Sequence, residues 1–78
     1  MIWVMRIDPE SSQHPYLQLA GRLRERIRSG QISARLPSLS DLTSETGLAV
    51  GTVRRAIDLL AEEGLVRTVP GRGTFVVR

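Results

Sequence analysis

The 78-residue chain is too short for a second folded unit with its own core, and with 4% aromatic residues it offers little to line a deep ligand cavity, which disfavours an enzyme. It has no cysteine and one histidine, His14, so disulfides and thiolate metal sites are excluded, zinc is disfavoured, and neither a metal nor a cofactor is expected. The net charge of +3 comes from eleven arginines, without a lysine, against eight acids; coding bias accounts for the missing lysine, and guanidinium forks also suit phosphates and guanine edges.

Met1 to Ile7 is an apolar run of seven residues interrupted by Arg6, too short to span a bilayer and without a cleavage-site pattern. A soluble, cytoplasmic protein without membrane contact is expected. Ile2 to Ile7 is rich in β-branched and aromatic types and predicts a short strand with Trp3 as a core plug; Asp8-Pro9-Glu10-Ser11-Ser12 then reads as a turn.

Pro15 suits a first helical turn, and Tyr16, Leu19, Ala20, Leu23 and Ile27 recur at three- and four-residue steps up to Gly30. The arginines at 22, 24, 26 and 28 fall on two flanks of this helix and read as a solvated face. Ser38 with Asp41 resembles a capping box with a shortened acid, opening a second helix through Leu39 and Leu42 to Gly47. A third helix from about Val50 to Glu63 carries Val53, Ala56, Ile57 and Leu60 on one face and Gly51, Arg55, Asp58 and Glu62 opposite, with Gly64 closing it. Only Gly47, Leu48 and Ala49 separate the last two helices, the length of a helix-turn-helix turn. Two β-prone runs, 65–69 and 74–78, flank Pro70-Gly71-Arg72-Gly73 and predict a hairpin with an arginine at its tip; from Leu65 onward there are arginines at 67, 72 and 78 and no acid.

Together these elements predict an α+β domain, mainly α with a small antiparallel wing sheet: a winged helix-turn-helix of order β-α-α-α-β-β. The single domain covers 1–78, with an N-terminal strand and turn over 1–14, three helices over 15–64 and the wing over 65–78. The expected core holds Leu23, Ile27, Leu36, Leu42, Val53, Ile57, Leu60, Leu65 and Phe75. In such a fold the third helix enters the major groove of B-DNA, and the hairpin reaches the adjacent minor groove or backbone.

Leu36-Pro37-Ser38, the Gly47 turn, the run from Thr52-Val53-Arg54-Arg55-Ala56 to Glu63-Gly64-Leu65-Val66, and Pro70-Gly71-Arg72-Gly73-Thr74-Phe75-Val76 resemble the amino-terminal domain of GntR-family bacterial transcription regulators. The resemblance runs from about Tyr16 to Val76. It implies a winged helix that binds a palindromic double-stranded DNA operator as a homodimer, usually to repress transcription. Carried over by position, Thr52 and Arg54 match recognition-helix residues that contact bases or phosphates. Ser38 matches the start of the second helix near the backbone, and Gly71 with Arg72 matches the wing tip. Ser40, Val50, Gly51 and Arg55 complete the candidate DNA-contacting set.

Departures from the family pattern are equally specific. Where the family commonly reads Leu-Pro-Ser-Glu-Arg, Leu39 and Ser40 fill the last two positions, so an arginine that would touch DNA is missing. The family's Ser-Arg-Thr at the front of the recognition helix is here Ala49-Val50-Gly51. An alanine N-cap costs about 1 kcal/mol relative to serine, and Gly51 weakens the helix further. In exchange, Val50 is suited to a thymine methyl and Gly51 to close backbone approach. The segment from Gly30 to Leu36 is about two residues shorter than usual and lacks the family's Pro-Gly turn. Family members usually continue into an effector-binding, dimerising domain. This sequence stops at the wing and holds no small-molecule pocket of its own, which fits a single-domain regulator and a fragment alike.

Other readings have distinct signatures. Arg54 and Asp58, four residues apart, would form a plain surface ion pair. A winged helix that docks on proteins needs an exposed apolar face, for which Leu17 and Leu59 are the candidates. His14 lies near Ser11 and Ser12 but no acid partner or oxyanion motif accompanies them, so nothing supports a nucleophilic triad.

Overall fold

The computed structural model describes Ile7 and residues 13–77. Its elements are α1 (Pro15–Ser29), α2 (Leu39–Thr46), α3 (Val50–Glu62), β1 (Val66–Val69) and β2 (Gly73–Val76). The expected strand over 2–7, and with it the place of Trp3, lies outside the described residues; Ile7 itself is half-buried against the core.

Each helix begins and ends where local chemistry dictates. Pro15 sacrifices no hydrogen bond in the first turn of α1, where the His14 carbonyl accepts the N–H groups of Leu17 and Gln18 at 3.0 and 3.1 Å. Gly30 ends α1 at a φ of 87°, a left-handed conformation that costs glycine nothing. At α2, the Ser38 hydroxyl oxygen accepts the Asp41 N–H at 3.0 Å, the capping half of the expected box. The Thr46 hydroxyl donates to the Leu42 carbonyl at 2.7 Å and accepts the Leu48 N–H at 3.2 Å, bracing the turn after Gly47. At α3 the N-cap is Ala49, which supplies no side-chain bond.

The core forms where three apolar stripes meet. Leu19, Ala20 and Leu23 of α1, Leu42 of α2, and Val53, Ala56, Ile57 and Leu60 of α3 are buried, with Tyr16, Ile27, Leu39, Leu48, Leu59 and Leu65 packed at the margins. Burial of each large aliphatic side chain contributes about 1.5–3 kcal/mol, and α1 against α3 is the most extensive helix contact.

β1 and β2 form the expected antiparallel hairpin, with Val66 opposite Val76, Arg67 opposite Phe75, Thr68 opposite Thr74 and Val69 opposite Gly73. The Arg72 N–H donates to the Val69 carbonyl at 3.0 Å, and Gly71 between them has a φ of 75°, the sign a type II turn requires after proline. A third segment, between α1 and α2, joins the far side of β2. Arg35 bridges Phe75, the Leu36 N–H donates to the Thr74 carbonyl at 2.9 Å, and the Val76 N–H donates to the Ala34 carbonyl at 2.7 Å. Ile32 at the start of this segment is buried in the core.

Two expectations are corrected. Phe75 was assigned to the core, but side chains alternate across a strand. The register turns Val66 and Val76 inward and leaves Phe75 half-buried on the outer face, beside Arg67 and Arg35. Arg24 is not simply solvated: its Nε and Nη2 donate to Oε1 and Oε2 of Glu63 at 2.8 and 2.6 Å, a two-pronged clasp between α1 and the end of α3.

That hydrogen-bonded clasp, aided by the charges of Arg24 and Arg28 and opposed by desolvation, holds the Glu63 carboxyl below the usual carboxylate range. A carboxyl whose pKa is depressed by folding stabilises the fold above its unfolded pKa, and the contribution is lost as pH falls through the folded value. A double-mutant cycle of Arg24→Ala and Glu63→Gln, followed by urea unfolding, will show favourable coupling at neutral pH that disappears in acid. Coupling that survives protonation of Glu63 contradicts this account.

Candidate nucleic-acid interface

With Val53, Ala56, Ile57 and Leu60 committed to the core, helical periodicity leaves the opposite side of α3 to solvent. Val50 is 49% exposed in the opening turn, and Gly51 beside it has nothing within 4 Å of where a Cβ would stand. Arg54, one turn beyond Val50, is exposed. It makes no ion pair with Asp58 and has no partner among the described residues, so the plain surface-pair reading fails. Thr52 is half-buried between them, its N–H donating to the Ala49 carbonyl at 3.0 Å.

Ser38 and Ser40 are both exposed at the start of α2. The Ser38 oxygen is occupied as an acceptor by its capping bond, which leaves its hydroxyl proton to donate outward. At the wing, Gly71 and Arg72 are exposed, and the Arg72 side chain is unpaired among the described residues.

Arg55 is placed differently from its neighbour. Its guanidinium carbon lies 4.1 Å from the centre of the Tyr16 ring, and Tyr16 in turn stacks with His14 at a centroid distance of 6.1 Å. Arg55 therefore clasps α3 to the start of α1 by a cation–π contact. The sequence reading missed this partner because Tyr16 and Arg55 are far apart in the chain.

Arg35 was also missed. Exposed on the segment that pairs with β2, it joins Arg67 and Arg72 on the wing. A signal for it was present: Ile32-Ser33-Ala34-Arg35-Leu36 alternates apolar and polar residues, the period of a strand with one buried face. Leu17 and Leu59, the candidates for an apolar docking face, are only half-exposed; Leu59 packs against the core, and among the described residues the large apolar side chains most open to solvent are Val50 and Val77.

A helix pair joined by a tight turn, with an exposed second-helix edge and a basic hairpin beside it, defines the winged helix-turn-helix class of DNA-binding transcription regulators. The model of the bacterial regulatory proteins of the gntR family matches residues 15–76, and the chain belongs to that family. It is 35% identical over 74 residues to the HTH-type transcriptional repressor NagR of Bacillus subtilis, covering 92% of this chain and 30% of that protein. Among solved structures, YtrA from Sulfolobus acidocaldarius, a GntR-family transcription factor, superposes with a TM-score of 0.86 at 32% identity, covering 97% of this chain and 82% of that one. AraR(DBD) in complex with operator ORX1 superposes with a TM-score of 0.87 at 29% identity, covering 99% of this chain and all of that one. Against several curated relatives the chain spans only 26–30% of their length.

The Tyr16–Arg55 contact has a measurable weight. A cycle of Tyr16→Leu and Arg55→Gln in thermal unfolding will show a coupling of about 0.5–1 kcal/mol, the range of exposed cation–π pairs. Strictly additive losses mean that the ring and the guanidinium do not interact.

Proposed function

We propose that this chain is the DNA-reading part of a cytoplasmic transcriptional repressor, with no enzymatic role, and that it binds a palindromic double-stranded operator as a homodimer. The observation that carries the reading is the edge of α3, where Val50 is exposed and Arg54 is unpaired among the described residues. The operator-bound state of AraR(DBD), so similar in backbone, supports DNA as the ligand. In this reading 1–78 is one domain. Val50, Gly51, Thr52 and Arg54 face the major groove. Ser38 and Ser40 donate to the backbone, and Gly71 with Arg72 enters or follows the minor groove. Arg55 acts mainly by holding α3 on α1, and its free N–H edge is a secondary donor to phosphate.

The opening turn of α3 offers methyl groups and bare backbone where the family offers an arginine. Val50 therefore contacts a thymine methyl, the apolar feature of the major groove. Selection of bound duplexes from a random library, with the enriched sequence titrated at two salt concentrations, tests the whole reading. A palindromic, salt-sensitive winner is expected, and the absence of enrichment overturns it.

On that operator Arg54→Ala will cost about 1–3 kcal/mol if Arg54 holds a base, with preference relaxed at one base pair, whereas Arg72→Ala will weaken all duplexes alike and flatten the salt slope by about one. Unchanged affinity in both variants removes these assignments. Replacing single thymines by uracil will weaken binding at the position facing Val50, and Val50→Ala will abolish that sensitivity. Equal binding of thymine and uracil duplexes throughout excludes the methyl contact.

A further inference from the structure

Arg35 lies outside the residues assigned to DNA above, yet its setting is built rather than incidental. Its backbone is pinned on both sides, because the carbonyl of Ala34 and the N–H of Leu36 both bond to β2. Its side chain then runs across Gly73. A Cβ at Gly73 would stand 2.9 Å from Nε and 3.1 Å from Nη2 of Arg35, so the guanidinium lies close against backbone that glycine leaves bare. Gly73 is also held at a φ of 125°, a second reason for glycine there. The Arg35 head is exposed and has no hydrogen bond or ion pair among the described residues.

The two chain segments that build this part of the wing carry no counter-charge. Neither 30–40 nor 65–77 contains an acid, and Arg67 and Arg72 stand in the second of these segments. Arg35 and Arg67 flank Phe75 on one face of the sheet, and Arg72 is the residue just before Gly73. Along the chain Arg35 lies three residues before Ser38, so it is placed between the start of α2 and the wing tip, two elements that the DNA-binding reading sets against the backbone.

We propose that Arg35 is a further DNA-backbone contact, an arginine arm of the wing that uses Gly73 as its platform and takes a phosphate of the duplex. The inference rests on the DNA-binding reading and extends it to a residue outside the candidate set drawn from the sequence. A guanidinium laid along backbone keeps its planar donor edge turned outward, so little side-chain freedom is lost when two phosphate oxygens are accepted in its fork. A phosphate contact adds affinity and register but carries no base preference of its own.

The test is the salt dependence of binding by the unaltered chain, Arg35→Ala and Arg35→Gln, each to the selected operator and to an unrelated duplex of equal length, with thermal unfolding to establish that both variants fold. Both variants are expected to bind both duplexes several-fold more weakly at about 0.1 M salt, with the log–log salt slope shallower by about 0.9, the counterion release of one phosphate. Slopes and affinities equal to those of the unaltered chain overturn the inference, as does a loss confined to the operator. If the unaltered chain itself shows no salt-dependent binding, the DNA-binding reading falls and this inference falls with it; if it binds normally and the variants match it, only Arg35 loses its role.

Discussion

Everything at the interface follows from the burial of one stripe of α3 against α1. Val53, Ala56, Ile57 and Leu60 can enter the core only if the helix is rotated to one angle, and that angle turns Val50 and Arg54 to solvent. The hydrophobic effect thus sets which edge of α3 is left open. Two polar clasps hold the angle. Tyr16 meets Arg55, and Arg24 meets Glu63; the partners are eight residues apart on α1 and eight apart between α3 and the residue that caps it, so the two helices are fastened at matching intervals.

The elements legible in the sequence are those whose ends carry local signals. Pro15, Gly30, Ser38, Gly47 and Gly64 each act within a few residues, so the helix bounds follow directly. The hairpin follows from Pro70-Gly71 in the same way. What escaped the sequence depends on pairing across the chain. The strand-like segment at 34–36 is too short to stand out until β2 supplies its hydrogen bonds. The outward turn of Phe75 is a matter of phase along β2, fixed by its partner strands and not by residue type. Arg24 and Arg55 have partners 39 residues away in sequence, beyond the reach of helical spacing.

Within the candidate site, residue types were legible and their states were not. Arg54 and Arg55 are adjacent and alike in sequence, yet among the described residues one is unpaired and the other lies on an aromatic ring. The family resemblance marks both positions, and only the packing separates the open guanidinium from the fastened one. The same resemblance drew attention to what is missing at Leu39, Ser40 and Val50, while the cation on the neighbouring segment, Arg35, emerged only from the sheet.

The segment between α1 and α2 has almost no slack. The N–H of Ile32 bonds back to the Arg26 carbonyl at 3.1 Å, Ile32 is anchored in the core, and Ala34 and Leu36 are stitched to β2. It behaves as a taut strap that makes the start of α2 and the wing one mechanical piece. A single inserted residue would reverse the alternation, sending either Ile32 to water or Arg35 into the core. Length here is consequently under a stricter constraint than composition, and the spacing between the helix start and the wing tip is a fixed gauge of the domain.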